Sequence, residues 1–164
     1  MFKTKRNILL ALAVCALLLP ATASVKNPVE RPFKQKGEHV LVLDFLNYAL
    51  YGDPMIPMWI EWESGQATHL GLYTSSATGI HNLDTGESNL SGYVTAANGD
   101  KVYWESTEQA SSPSIIFTGG TGRFEGASGS MISTGTTLSE EWDTDFPWLL
   151  RIRSSLSAIG TITY

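Results

Sequence analysis

From His39 to Tyr164 the chain is a succession of short β-branched and aromatic runs broken by turn residues, and no stretch sustains a 3.6-residue period. Alternation is plainest in Gly92-Tyr93-Val94-Thr95-Ala96. The pattern predicts eight strands, near 39–50, 57–63, 67–75, 88–97, 101–108, 113–118, 127–138 and 156–164. Asn98-Gly99 tolerates the positive φ angles of a tight hairpin, so the fourth and fifth strands are expected as antiparallel neighbours. One short helical turn fits Thr144 to Arg151, where Pro147 suits a first-turn position. Eight strands with short connections predict an all-β fold, an antiparallel up-and-down barrel that leaves no exposed edge. A sandwich is the alternative.

The N-terminus reads as an address. Lys3, Lys5 and Arg6 precede an apolar run from Ile8 to Leu19, Pro20 breaks it, and Ala21-Thr22-Ala23 is a small-x-small cleavage site. The run is too short to span a bilayer, which takes roughly 20 residues. Val14 before Cys15 argues against a lipoprotein signal. Residues 1–23 are therefore expected as a cleaved signal peptide, with the mature protein secreted or periplasmic. The single cysteine, Cys15, leaves with it, which excludes thiol catalysis and a disulfide framework. Residues 24–38, marked by Pro28 and Pro32, read as a flexible lead-in to a barrel domain at 39–164.

Charge narrows the partners. The formal net charge of −5 becomes −8 once the three leader bases are gone, and only Lys101, Arg123, Arg151 and Arg153 are basic beyond His39. So acidic a body repels phosphate backbones and anionic membranes, which excludes nucleic-acid binding. The run Val40 to Leu46 is apolar towards both faces except at Asp44. A strand buried on both sides needs a covering loop or a second subunit, which makes a homo-oligomer an option.

The segment Ile116-Phe117-Thr118-Gly119-Gly120-Thr121-Gly122-Arg123-Phe124-Glu125-Gly126-Ala127-Ser128-Gly129 resembles the G-G-T-G-R-F signature of the allene oxide cyclase and dirigent barrel superfamily. Gly65 to Thr74, Ala97 to Asp100 and Ile159 to Tyr164 are similar to patterns of its bacterial, cyclase-like branch, whereas 47–60 and 139–155 match none of it. The resemblance implies an eight-stranded barrel with a small cavity, often trimeric and without a cofactor. It implies no single reaction, since such barrels include cyclases, proteins that steer phenoxy-radical coupling, and many without known activity. Catalytic residues do not carry over, because only the glycine signature matches clearly. Physically, Gly119, Gly120 and Gly122 permit a tight turn. Arg123 can cap carbonyls, pair with a carboxylate or touch a ligand, and Phe124 can plug one barrel end. The spacing fits neither a phosphate loop nor a dinucleotide fingerprint.

Several residues are candidates for chemistry. Glu61 and Glu63 flank Trp62 and read as a solvated pair opposite a buried Trp62, or as an acid–base pair on the inner wall. His69, Gly71 and Tyr73 share one strand face, where a His–Tyr pair beside glycine leaves room for a ligand. Asp44 interrupts an apolar strand and is expected either towards the lumen, with an arginine partner, or in water at the strand end. His39, His69 and His81 lack metal-ligand spacing, so no metal site is expected. Ser128 lacks the register of a nucleophile elbow. The sequon Asn89-Leu90-Ser91 bears only on a eukaryotic source. The stretch Ser139 to Ser155 reads as a long loop, a lid or a flap, with Trp142 and Trp148 as ligand contacts beside Arg123.

The functional expectation is an exported barrel that binds a small, mostly apolar molecule, as a non-catalytic carrier or in an envelope-associated role, and assembles as a homotrimer. The alternative is a cofactor-free cyclase or isomerase using Asp44, His69 and Tyr73 on a small hydrophobic substrate.

Overall fold

The computed structural model describes residues 28–108 and 114–164, so the signal peptide expected at 1–23 lies outside the described residues. The chain closes into a barrel of eight antiparallel strands in sequence order, with the last paired to the first. They are β1 (Glu30–Asp44), β2 (Met55–Ala67), β3 (Gly71–Asn82), β4 (Ser88–Ala96), β5 (Lys101–Glu108), β6 (Ser114–Gly120), β7 (Ser128–Trp142) and β8 (Leu149–Thr163). All eight expected strands are present. The Asn98-Gly99 turn joins β4 to β5, with Gly99 at φ 89° and its N–H on the Ala96 carbonyl at 2.9 Å. Among the described residues no helix is long and apolar enough to cross a membrane.

The strand boundaries differ most at β1 and over 139–155, and β3 also runs over Gly71–Asn82 rather than 67–75. β1 begins at Glu30, inside the stretch read as lead-in, because Phe33 and Gln35 are buried and β1 pairs β8 from Glu30↔Thr163 to Asp44↔Leu149. Pro32 fits there because β2 reaches no further than Ala67, opposite Gln35, so its missing N–H faces no strand on that side. β1 also stops at Asp44 rather than running to residue 50. Leu46–Tyr51 form a short helix, α1, ended by Gly52 at φ 70°, whose N–H bonds the Tyr48 carbonyl. The second difference is the stretch 139–155, which is mostly strand. β7 and β8 form a hairpin whose loop is only 143–148, and 144–151 holds no helix. Asp143 Oδ1 accepts the Asp145 and Phe146 N–H groups and closes that turn.

The two apolar faces of β1 are both covered within the chain. Leu41 and Leu43 face the lumen side with Phe33 and Gln35, whereas Val40 and Val42 are buried on the outer face. Their cross-strand neighbours are Trp62 and Trp59 on β2 and Arg153 and Arg151 on β8. Arg151 is held by Glu61 at 3.1 Å and by Asp143, and Arg153 by Glu38 at 2.6 Å. The arginine stems thus lie over the valines while their heads stay wet.

One barrel end is packed shut. Phe124, fully buried in the 3₁₀ turn Gly122–Phe124, meets Tyr164 edge-on at 4.9 Å, and Phe33 meets Phe117 at 5.2 Å. This is the plug expected of Phe124. The opposite end carries α1 and the 143–148 loop.

Candidate functional site

Above that plug lies a lumen cavity of about 120 Å³. Its walls are mostly apolar: Leu41, Met58, Ile60, Leu90, Val94, Trp104, Ile115, Met131 and Leu156. The polar side chains among them are Gln35, His39, Glu63, Ser75, Ser106 and Ser133.

Glu63 is there because β2 carries a bulge. Ile56, Met58 and Ile60 alternate inward, and strict alternation would continue through Trp62. Val40 pairs Trp62 but Leu41 pairs Ile60, so Glu61 is an extra residue, and the same shift appears against β3. One inserted residue exchanges the two faces of everything after it. Glu63 turns in with only 5% exposure, and Trp62 turns out. The expected outward pair is therefore corrected: Glu61 faces solvent beside Arg151, and Glu63 stands alone in the barrel, with no second carboxylate on the inner wall of the cavity.

Gln35 links the polar floor. Its Nε2 donates to Glu63 Oε1 at 3.0 Å and to Tyr73 Oη at 2.8 Å. Burial pushes the Glu63 carboxyl above its ordinary range, against the pull of the Tyr73 and Ser75 hydroxyls and the Gln35 amide. Burial, and then the Glu63 charge, push the Tyr73 phenol up. His39 is held below its ordinary value by burial and so stays neutral near pH 7. Two oxygens on this floor are buried without a hydrogen-bond partner, Gln35 Oε1 and Ser75 Oγ, the latter close to the carboxyl but outside bonding geometry.

The residues singled out from sequence are scattered. Tyr73 joins the floor, and so does Glu63 without Glu61. His69 is not on a strand face with it: at φ 69° it sits in the β2–β3 turn at the plugged end, its Nε2 donating to the Pro32 carbonyl at 3.0 Å. Gly71 at φ 71° follows in the same turn, and the reversal separates His69 from Tyr73. Asp44 does not face the lumen. Its Oδ1 accepts the Leu46 N–H at 2.9 Å and starts α1. Arg123 is exposed at the plugged end, donating to the His69 carbonyl and lying 4.0 Å from Asp100 Oδ2. Trp142 packs on Phe45 at 5.4 Å and Trp148 on Phe146 at 5.6 Å, both at the α1 end and outside the cavity lining. Gln35, and His39 as a lining group, were missed, and Glu63 was placed on the inner wall only as an alternative, paired with Glu61. Gln35 had a legible signal, since Phe33, Gln35, Gly37, His39, Leu41 and Leu43 alternate with Lys34, Lys36 and Glu38. The bulge that turns Glu63 inward had none.

No family model and no curated protein sequence matches the chain. Among solved structures it is similar to the pterocarpan synthase dirigent protein GePTS1, at 12% identity and a TM-score of 0.53, over 85% of this chain and 88% of that one. The pterocarpan synthase dirigent protein PsPTS1 aligns at 10% identity and a TM-score of 0.48, over 85% and 96%. The likeness to GePTS1 is one of fold: a dirigent-type barrel.

Proposed function

We propose that this chain is an exported member of the bacterial, cyclase-like branch of the allene oxide cyclase and dirigent superfamily, and that it holds a small, mostly apolar molecule in its lumen as a non-catalytic carrier or in an envelope-associated role. The observation that carries the reading is the cavity itself, apolar in its walls and polar at one floor, the usual composition of a ligand site. Its volume is below the roughly 300–1,000 Å³ of pockets for drug-sized ligands, so the occupant is compact. Native mass spectrometry of the protein purified from its own host tests this, together with tryptophan fluorescence, to which Trp104 in the wall contributes. A bound small molecule, or a saturable fluorescence change with small apolar compounds, is expected. An empty protein with unmoved fluorescence across such a panel rules out the carrier.

A second reading, a cofactor-free cyclase or isomerase, is favoured by one observation: a buried carboxyl whose proton affinity is raised, within reach of the cavity. Such a group suits general acid–base work. Conversion of the bound molecule on incubation, lost in Glu63→Gln, separates enzyme from carrier. A homotrimer remains part of the proposal. Its support is an exposed stripe of Ile116, Ile132 and Ile159 across the outer faces of β6, β7 and β8, where Ile132 and Ile159 are direct cross-strand neighbours.

A further inference from the structure

The polar floor of the cavity has an uneven supply of donors and acceptors. Glu63 already faces the neutral Gln35 amide and the Tyr73 hydroxyl, and the Ser75 hydroxyl stands close by. The two buried atoms left over, Gln35 Oε1 and Ser75 Oγ, are both oxygens, and an amide oxygen can only accept. Both residues line the cavity and are buried or half-buried. No lysine or arginine is among the lining residues, and the other ionisable group there, His39, is neutral. The floor therefore presents a carboxyl without a counter-charge, an amide oxygen without a donor, and a serine hydroxyl that can still accept. Buried polar groups are almost always satisfied, and a buried carboxylate is almost always paired.

We propose that the cavity takes a small protonated amine with a compact apolar body, its ammonium set against Glu63, Gln35 Oε1 and Ser75 Oγ. This rests on the reading of the lumen as a ligand pocket and adds the chemical class of the occupant. An ammonium group brings three donors and one positive charge, matching the three oxygens and the missing counter-charge together. A neutral alcohol can supply a donor to Gln35 Oε1 but brings no charge to set against Glu63. A carboxylate would stand against Glu63 and leave Gln35 Oε1 without a donor. The cavity is close to the roughly 150 Å³ in which an apolar protein cavity holds a benzene ring, so the body is one ring or a short chain. The net charge of −5 for the chain draws cations towards the protein in the same direction.

Isothermal titration calorimetry of the purified protein at pH 7 with benzylamine, benzyl alcohol and benzoate tests the class. Benzylamine is expected to bind at least about tenfold more tightly than benzyl alcohol, and benzoate not to bind, given the greater strength of charge-assisted hydrogen bonds. Glu63→Gln is expected to abolish the preference for benzylamine over benzyl alcohol. Ser75→Ala, a smaller change, is expected to weaken benzylamine severalfold and benzyl alcohol by less. Benzyl alcohol binding as tightly as benzylamine, or amine binding untouched in both variants, overturns the ammonium site while leaving the pocket in place. Absence of binding by all three probes overturns this proposal, and the pocket reading falls separately if native mass spectrometry also finds the lumen empty.

Discussion

Gly37 and Tyr73 are fitted to each other: a Cβ built on Gly37 would lie 2.5 Å from Tyr73 Oη. The phenol that accepts from Gln35 occupies the space a side chain at residue 37 would take. The same Cβ would also lie 2.5 Å from the Ser64 carbonyl oxygen, so the backbone of β2 closes the other side. The floor of the cavity is thus built around a missing side chain on β1.

Gly37→Ala is expected to destabilise the barrel by roughly 1–3 kcal/mol, the usual cost of overpacking a filled interior. Urea denaturation checks it. Gly37→Ala combined with Tyr73→Phe is expected to recover part of the loss, because the hydroxyl is one of the two atoms in the way. No recovery would mean that the Ser64 carbonyl alone sets the limit.

Glu63 ties stability to pH in a defined direction. Its folded value is raised, so its contribution is complete below the ordinary value of 4.5 and declines as pH climbs through the folded value, where the folded state gives up its extra proton. Glu63→Gln removes this decline, and its melting temperature is expected to exceed that of the unmodified protein increasingly as pH rises above 4.5. Asp143 works in the opposite sense. The Phe146 N–H first, and Arg151 beside it, hold its carboxyl low, so that contribution is lost as pH falls below the ordinary carboxylate value. Thermal melts across pH 3 to 8 for Glu63→Gln and Asp143→Asn separate the two limbs.

Phe124 closes the barrel. Replacing it with alanine opens a cavity beside Tyr164 and Phe33's end of the core, and a loss of about 3–5 kcal/mol is expected. Arg123→Ala next to it removes an exposed ion pair and a bond to a turn carbonyl, for a loss of at most about 1 kcal/mol. Denaturation curves that rank the two the other way would contradict the plug.

The exposed isoleucine stripe is expected to mediate self-association. Ile132→Lys and Ile159→Lys place charges on adjacent positions of the outer face and should shift sedimentation equilibrium towards monomer while changing the stability of the barrel by no more than about 0.5 kcal/mol. A monomer in the unmodified protein at high concentration would remove the idea.

Local chemistry was enough for the count of the strands and for the tightest turns between them, whereas closure needed β8 to find β1. Runs such as Gly92 to Ala96 state their period in a few residues, Asn98-Gly99 names its own turn, and the glycines before Phe124 carry the turn that lets the ring fold back as a plug. These features depend on neighbours in sequence, so the sequence by itself determined them. The candidate site depends on neighbours in space. Glu61 becomes an extra residue only because β2 must match β1 on one side and β3 on the other, and that single insertion decides that Glu63 faces the lumen while Trp62 faces out. The turn at His69 and Gly71 likewise parts two residues that a straight strand would have joined. Val40 and Val42 look unpartnered until β8 brings Arg151 and Arg153 beside them. A strand's period fixes that its side chains alternate; which set faces inward is fixed by the register of the strands around it, and that is a property of the closed barrel.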